Sequence, residues 1–305
     1  MTSQKHWTTD QMPEQHGRTF VVTGANSGLG LATTRALAAK GAHVVLAVRD
    51  ELRGRQAAAR VRAGQPGARL DVRRLDLADL ASIRAFAAGL RRDGIRPDVL
   101  INNAGVMAPP RTLTARGDEV QFAVNHLGHF ALTEVLLGLL AGGDDPRVVT
   151  VTSTNHRRAR IAFDDLSGER SYSPMGHYDQ SKLANAVFGW ELHRRLTAAG
   201  SPVRSVLAHP GYAATNLQSG DPVGRVRFLF GGLLLPLAQS ADRGALPQLY
   251  AATAPGVRGG ELYGPGGAGE LRGAPKRVRL APRATDAETG DRLWRVSERL
   301  TAGDA

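Results

Sequence analysis

Tyr178 and Lys182 stand four residues apart at the start of a stretch, Tyr178 to Ala198, whose pattern predicts a helix, so both side chains share one helix face. A free phenol titrates at about 10, and a neighbouring ammonium favours the phenolate and moves the proton toward the operating range. Such a pair suits proton transfer to a carbonyl oxygen or from an alcohol. A second group of residues points to the reaction partner. Thr23-Gly24-Ala25-Asn26-Ser27-Gly28-Leu29-Gly30 lies between a β-branched run and a helical pattern. Glycines in that place let the backbone turn tightly and approach a pyrophosphate, which rests on the free N–H groups and positive end of the helix. The spacing is GxxxGxG, not GxGxxG. Taken singly, the first pair fits an exposed helix face and the second group an ordinary turn, so the surrounding elements decide.

Those elements alternate. Thr19 to Thr23 reads as a strand and Leu29 to Lys40 as a helix; His43 to Val48, Arg69 to Leu75 and Pro97 to Asn102 read as strands separated by helices at Glu51 to Arg62 and Leu80 to Arg92. A long helix, Glu119 to Leu140, precedes a strand at Arg147 to Thr152, and the helix Tyr178 to Ala198 precedes another at Val203 to Ala208. Strands separated by helix-length segments need crossover connections, which give a parallel sheet with helices on both faces. Beyond Gly211 the pattern predicts a helix at Ser240 to Ala252, a short strand at Glu261 to Tyr263, a glycine-rich loop from Gly264 to Gly273 and a closing helix at Asp286 to Leu300. The expected fold class is α/β: a doubly wound sheet of about seven parallel strands in one domain. Residues 1–18 read as a polar tail and residues 19–305 as that single domain.

Composition narrows the function classes. The chain has 305 residues, 42% hydrophobic and 22% charged, which is globular and neither disordered nor collagenous. With no Cys there is no disulfide framework, thiolate zinc site, iron–sulfur cluster or cysteine nucleophile, and no metal site is expected. The net charge of +11 would suit a polyanion, but the arginines are scattered and aromatics are only 5%, so the basic stripe with interleaved aromatics of a nucleic-acid binder is missing. Met1 to Gly17 holds no apolar run, and Val226 to Ala238, interrupted by Arg227, glycines and Pro236, is too short for a spanning helix. The expectation is a cytoplasmic protein without a membrane span.

The glycine spacing resembles the short-chain dehydrogenase/reductase family, and the resemblance continues along nearly the whole chain. Asp76-Leu77 after the third strand looks like the family's adenine contact, and Asn102-Asn103-Ala104-Gly105 after the fourth looks like its NNAG motif. Tyr178-Asp179-Gln180-Ser181-Lys182 matches the YxxSK form of the catalytic motif, with Ser153 at the end of the fifth strand and Asn125 in the long helix. His209-Pro210-Gly211 is similar to the turn beside the nicotinamide, with Thr215 where a carboxamide contact is expected. The resemblance implies a Rossmann fold and an oxidoreductase in which Tyr178 exchanges a proton with the substrate oxygen, Ser153 holds that oxygen, and Asn125 positions a water in a relay ending at Lys182. It implies a dinucleotide held by Gly24, Asn26, Ser27, Gly28, Leu29, Gly30, Asp76, Leu77, Asn103, Ala104, Gly105, Tyr178, Lys182, Pro210, Gly211 and Thr215. Ser181-Lys182-Leu183-Ala184-Asn185 with Ala47-Val48-Arg49-Asp50, and the long gap from Ser153 to Tyr178, look like the branch of retinol dehydrogenases, the WW-domain oxidoreductase and protochlorophyllide reductases. Two departures stand out: no N-terminal anchor of the retinol dehydrogenase kind, and no Cys for light-driven protochlorophyllide reduction.

Thr152 also carries a hydroxyl, but neighbouring strand residues face opposite sides, and the family pattern favours Ser153. His156 reads either as a pocket-lining residue or as a solvated loop histidine, and His209 as a packing residue at a strand end. Arg49 suits the 2′-phosphate of NADP(H), with Arg53 as a second partner; an inward-pointing Asp50 would favour NAD(H) instead. NADP(H) is the expected cofactor. A lid at about 217–240, with Phe228, Leu229, Phe230 and Leu233 to Leu235, would roof an apolar substrate, or would be core or an oligomer contact. The helices Glu119 to Leu140 and Tyr178 to Ala198 are the surfaces that the resemblance offers for a homodimer. The expected activity is NADP(H)-dependent interconversion of a carbonyl and an alcohol; the alternative is a regulatory protein that binds NADP without chemistry.

Overall fold

The structure, a computed structural model, describes residues 7–212 and 239–302. Among these residues eight strands form one sheet in the order β3-β2-β1-β4-β5-β6-β7-β8. The strands are β1 (Thr19–Thr23), β2 (His43–Val48), β3 (Arg69–Arg74), β4 (Val99–Asn102), β5 (Arg147–Val151), β6 (Arg204–Ala208), β7 (Leu262–Pro265) and β8 (Pro275–Val278). All neighbours are parallel except β7 and β8, which are antiparallel. The reversal of order at β1 and β4 is the switch point at which doubly wound sheets open a crevice beyond their strand ends.

Residue type explains the layering. The central strands are near-continuous apolar runs because helices cover both faces. Phe20 and Val22 of β1 pack to one side with Val44 and Leu46 of β2, while Val21 and Val45 pack to the other. On the first side lie α1 (Gly28–Ala39), α2 (Glu51–Gly64) and α7 (Ala241–Thr253); on the second lie α3 (Leu80–Arg92), α5 (Gly128–Leu140), α6 (Pro174–Ala198) and α8 (Ala287–Thr301). Asp50, Asp79, Ser173, Ser240 and Asp286 each cap a helix by accepting a backbone N–H through the side chain.

The long helix Val120–Leu140 is not uniform. A short α4 (Val120–Phe122) passes through a π-helical turn, Ala123–Leu127, before continuing as α5. Asn125 sits in that widened turn, a feature that occurs often at functional positions. By length and composition this helix would cross a membrane, but 67% of its most apolar window is buried inside the fold, as in a core helix.

Three features differ from the sequence expectation, and a fourth adds to it. The sheet gains β8, whose Lys276 and Arg277 are exposed on an outer antiparallel strand and so show no apolar run. Helix α6 begins at Pro174, a turn earlier than expected, because Ser173-Pro174 supplies both cap and first residue. Residues 7–18 of the segment expected as a polar tail join the core, with Trp7 packed edge-on against Tyr250 at 5.2 Å and Met12 buried. The helices offered for a homodimer carry the chain's own α8: Trp294 packs on Phe130 at 5.0 Å and on Phe188 at 6.0 Å, and Ser297 bonds His126 at 2.8 Å.

Candidate active site

The glycine turn is built for close approach. Gly24 and Gly28 have φ of +65° and +51°, a region that costs a side-chain-bearing residue energy. A Cβ on Gly30 would lie 2.3 Å from the Gly24 carbonyl oxygen, so that glycine lets α1 press against the turn. Ser27 is the N-cap of α1 yet makes no capping bond, and no acidic residue lies in the first turn. In contrast to α2, α3, α6, α7 and α8, this helix leaves its first N–H groups without a side-chain partner.

Beside it the NNAG segment is fastened by one hydroxyl. Thr23 Oγ1 accepts the N–H groups of Asn103 and Ala104, each at 2.9 Å, and lies 2.9 Å from His129 Nε2. With both lone pairs taken, Thr23 donates to His129 Nε2, while His129 Nδ1–H donates to the Asn125 carbonyl at 2.9 Å. Burial, with Lys182 adding to it, brings the His129 imidazole down to about 4, so it is neutral. Asn103 Nδ2 donates to the Thr23 carbonyl at 2.7 Å, and Gln248 of α7 donates to Asn103 Oδ1 at 3.2 Å.

Asn125 is fully buried. Its amide donates to the Val106 carbonyl and to Ser181 Oγ, both at 2.9 Å, and Oδ1 accepts the Val106 N–H at 2.8 Å. Both donors are therefore taken and Oδ1 keeps one lone pair. It shares the space over Gly105 with Lys182: a Cβ there would lie 3.2 Å from Asn125 Oδ1 and 3.6 Å from Lys182 Nζ.

Tyr178, Ser153 and Lys182 come together. The Ser153 hydroxyl is hydrogen-bonded to the Tyr178 phenol, and Lys182 Nζ lies 5.7 Å from the centre of the phenol ring. Burial pushes the phenol up to about 12, although the Ser153 bond pulls the other way. Lys182 does not offset that burial, contrary to the expected lowering: its own ammonium is brought down to about 8, so it is neutral where a phenol at about 12 titrates. Burial brings Lys182 down to about 8; among the described residues its one hydrogen bond is to the Val151 carbonyl at 3.3 Å, which leaves two N–H groups for a ligand. Thr152, the other hydroxyl considered, donates to the Lys182 carbonyl at 2.7 Å and faces α6.

His156 neither lines a pocket nor meets solvent. It is fully buried, takes the Ala281 N–H on Nε2 at 3.2 Å, and so donates Nδ1–H to the Ser153 carbonyl at 2.6 Å. Its pKa falls to about 4 through burial. His209 is more than a packing residue: Nδ1 accepts the Gly211 N–H at 3.2 Å and Nε2 meets Glu270 at 2.9 Å. Pro210 is held through its carbonyl by Gln239 at 2.6 Å. Thr215 and residues 217–238 of the expected lid lie outside the described residues.

At the far end of the crevice Asp50 does not point inward: it accepts the Arg53 N–H at 3.1 Å as the cap of α2 and pairs with the Arg53 guanidinium at 3.5 Å. Arg49 is exposed and makes no ion pair among the described residues. Arg74, which the sequence reading did not single out, ends β3 opposite Val48 and is also exposed. Asp76 Oδ1 accepts the Ala78 N–H at 3.0 Å and Leu77 is buried. The roles of Thr23 and Gln248 left no spacing signal because their partner Asn103 lies 80 and 145 residues away. The uncapped α1, the glycine cradle and the two free donors of Lys182 fit a dinucleotide.

The short chain dehydrogenase family pattern matches residues 18–222. The chain is 41% identical over 294 residues to retinol dehydrogenase 14 of Mus musculus, covering 93% of this chain and 85% of that protein. It is 42% identical over 296 residues to polyprenol dehydrogenase of Mus musculus, covering 95% and 85%. An uncharacterised protein of Mycobacterium paratuberculosis, known from a crystal structure, superposes with a TM-score of 0.81 at 45% identity over 97% of each chain. The chain belongs to the short-chain dehydrogenase/reductase family, on its retinol dehydrogenase-like branch, and is an oxidoreductase that interconverts carbonyl and alcohol groups with a nicotinamide dinucleotide.

Proposed function

We propose that the chain is an NADP(H)-dependent reductase of an apolar aldehyde or ketone, able to run in reverse on the alcohol, with Tyr178 as the proton donor. The observation that carries this reading is the Ser153–Tyr178–Lys182 contact set at the ends of the parallel strands. A phenol held at about 12 stays protonated, which is the form that gives a proton to a carbonyl oxygen. Ser153 holds that oxygen against the phenol. The proton leaves Tyr178 Oη for the substrate oxygen, and Lys182 and Asn125 Oδ1, side by side over Gly105, supply the route by which the phenolate regains it. The dinucleotide, when bound, supplies the hydride to the carbonyl carbon.

The preference for NADP(H) rests on charge. Asp50 is engaged as a helix cap and so is not offered to a ribose hydroxyl, while Arg49 and Arg74 lie exposed at the ends of β2 and β3, where a guanidinium fork matches a phosphate. Gly24, Asn26, Ser27, Gly28, Leu29 and Gly30 would cradle the pyrophosphate, Asp76 and Leu77 the adenine, Asn103, Ala104 and Gly105 the ribose side, Lys182 the nicotinamide ribose, and Pro210 and Gly211 the nicotinamide. Support for an apolar substrate comes from Tyr212 and Leu271, both exposed and bonded through their backbones beside the Pro210–Gly211 turn. The names of the relatives, retinol and polyprenol dehydrogenases, agree with such a substrate.

The test is a fluorescence titration with NADPH and NADH, then a panel of long-chain aldehydes and retinal with the cofactor that binds. Tighter binding of NADPH with turnover of a panel member is the expected result. Binding without turnover of any member would favour the non-catalytic alternative, and failure to bind either dinucleotide would remove the reading altogether.

A further inference from the structure

Glu270 lies in the glycine-rich connection from β7 to β8, outside every motif named above. Its φ is +57°, a left-handed conformation that glycine adopts freely and glutamate does not. Its surroundings hold it there. One carboxylate oxygen, Oε2, meets His209 Nε2 at 2.9 Å and Arg157 Nη2 at 2.7 Å. Because His209 Nδ1 accepts the Gly211 N–H, the proton on His209 is at Nε2 and is donated to Glu270. Burial works to raise the carboxyl, but the bonds from His209 and Arg157 hold it down at about 2, so it is ionised at working pH.

These two partners belong to different halves of the site. His209 directly precedes the Pro210–Gly211 turn after β6, and Arg157 closes the short helical turn Thr154–Arg157 that Ser153 caps through its hydroxyl, with Asn155 N–H at 3.3 Å. The backbone adds to the same bridge. Gly211 is packed so closely that a Cβ would lie 2.5 Å from the Leu271 carbonyl oxygen and 2.9 Å from that of Glu270, and Tyr212 N–H donates to the Leu271 carbonyl at 2.9 Å. A single ionised group thus spans the turn that holds the substrate oxygen and the turn beside the nicotinamide.

We propose that Glu270 is a positioning residue of the reaction centre: through His209 and Arg157 its carboxylate fixes the Pro210–Gly211 turn relative to the Ser153 turn. This rests on the reading of those turns as the nicotinamide and substrate sides. Hydride transfer needs its two carbon centres held at near-contact distance, so loosening this bridge acts on the nicotinamide end and on turnover. It leaves the adenosine end, bound beyond β2 and β3, untouched.

The experiment measures Kd for NADPH and for adenosine 2′,5′-bisphosphate, which lacks the nicotinamide, with the wild type, Glu270→Ala, Glu270→Gln and Arg157→Ala. If the wild type prefers NADH, NADH and ADP replace them. In Glu270→Ala the NADPH affinity is expected to fall by about tenfold and turnover by up to roughly 10²-fold, with the bisphosphate affinity unchanged. Glu270→Gln keeps an oxygen acceptor for His209 and recovers most of the NADPH affinity, and Arg157→Ala gives a smaller loss of the same kind. Unchanged affinity and turnover in Glu270→Ala would overturn the proposal. So would an equal loss for both probes accompanied by a lowered Tm in Glu270→Ala and Arg157→Ala alike, since that is the mark of a purely structural role. A wild type that binds neither probe would instead overturn the cofactor reading itself.

Discussion

The hydroxyl of Thr152 donates to the backbone carbonyl of Lys182 at 2.7 Å, pinning the end of β5 to the helix that carries Tyr178. Alternation along the strand then turns Ser153 to the other side, toward Tyr178. The two neighbouring hydroxyls therefore have separable roles. Thr152→Val should cost about 1 kcal/mol of stability, because a buried side-chain hydrogen bond is lost while the Lys182 carbonyl keeps its helical N–H donor. Ser153→Ala gives up only the longer 3.3 Å cap bond from Asn155 N–H, so it should cost less stability than Thr152→Val, and it should lower kcat/KM about 10²-fold or more, as removal of a transition-state hydrogen bond does. Urea unfolding and steady-state kinetics on both variants check this; the reverse pattern would mean that the strand end is turned the other way.

Lys182 makes cofactor binding depend on alkali. Burial brings its ammonium down to about 8, so above that pH the amine is neutral and its hydrogen bonds lose their charge assistance. NADPH affinity should weaken by roughly tenfold as pH rises past that value. Lys182→Met should bind weakly at neutral pH and lose the step. An affinity flat from neutral pH to well above 8 in the wild type would show that Lys182 is not a ligand of the dinucleotide.

Arg49→Glu should weaken NADPH by about 10–100-fold while changing NADH little, since it removes a charge-assisted fork and adds repulsion to a phosphate. Asp50→Ala is predicted to act on the fold: it removes the α2 cap, at about 1 kcal/mol, and leaves the NADPH to NADH ratio unchanged. Paired fluorescence titrations separate the two. A swing toward NADPH in Asp50→Ala would return Asp50 to the ribose.

Three histidines set an acid limit. Burial holds His126 at about 3, and His129 and His156 at about 4, against 6.5 when unfolded. With the folded values depressed, the unfolded chain binds more protons between pH 6.5 and 4, so stability rises with pH through that window and is lost as pH falls through it. Urea midpoints measured from pH 7.5 down should begin to fall below about 6.5. A midpoint constant down to pH 4 would contradict the buried, neutral assignment.

How much of this was legible depended on how local each cause is. The central strands follow from short apolar runs, and the Gly24–Gly30 turn and the Tyr178–Lys182 pair from spacings that act within one element. The π-turn at Asn125 leaves the apolar pattern of its helix intact and so is invisible to periodicity. Strand β8 has polar, exposed residues, and Trp7 and Met12 are isolated apolar residues with no period around them. His156 is oriented by Ala281, 125 residues away, and His209 by Glu270, 61 residues away. Such long-range partners leave no spacing signature, which is why the histidine roles had to come from three dimensions.

In the proposed reaction Tyr178 gives a proton to a carbonyl while hydride arrives from a nicotinamide. Its most direct test is incubation of the protein with the aldehyde panel and NADPH deuterated at C4, prepared in both configurations, followed by mass spectrometry of the alcohol. Deuterium is expected in the product with one of the two labelled cofactors, and none above background with Tyr178→Phe although that variant still binds NADPH. Product without deuterium from either labelled cofactor, or equal labelling by Tyr178→Phe, would contradict it.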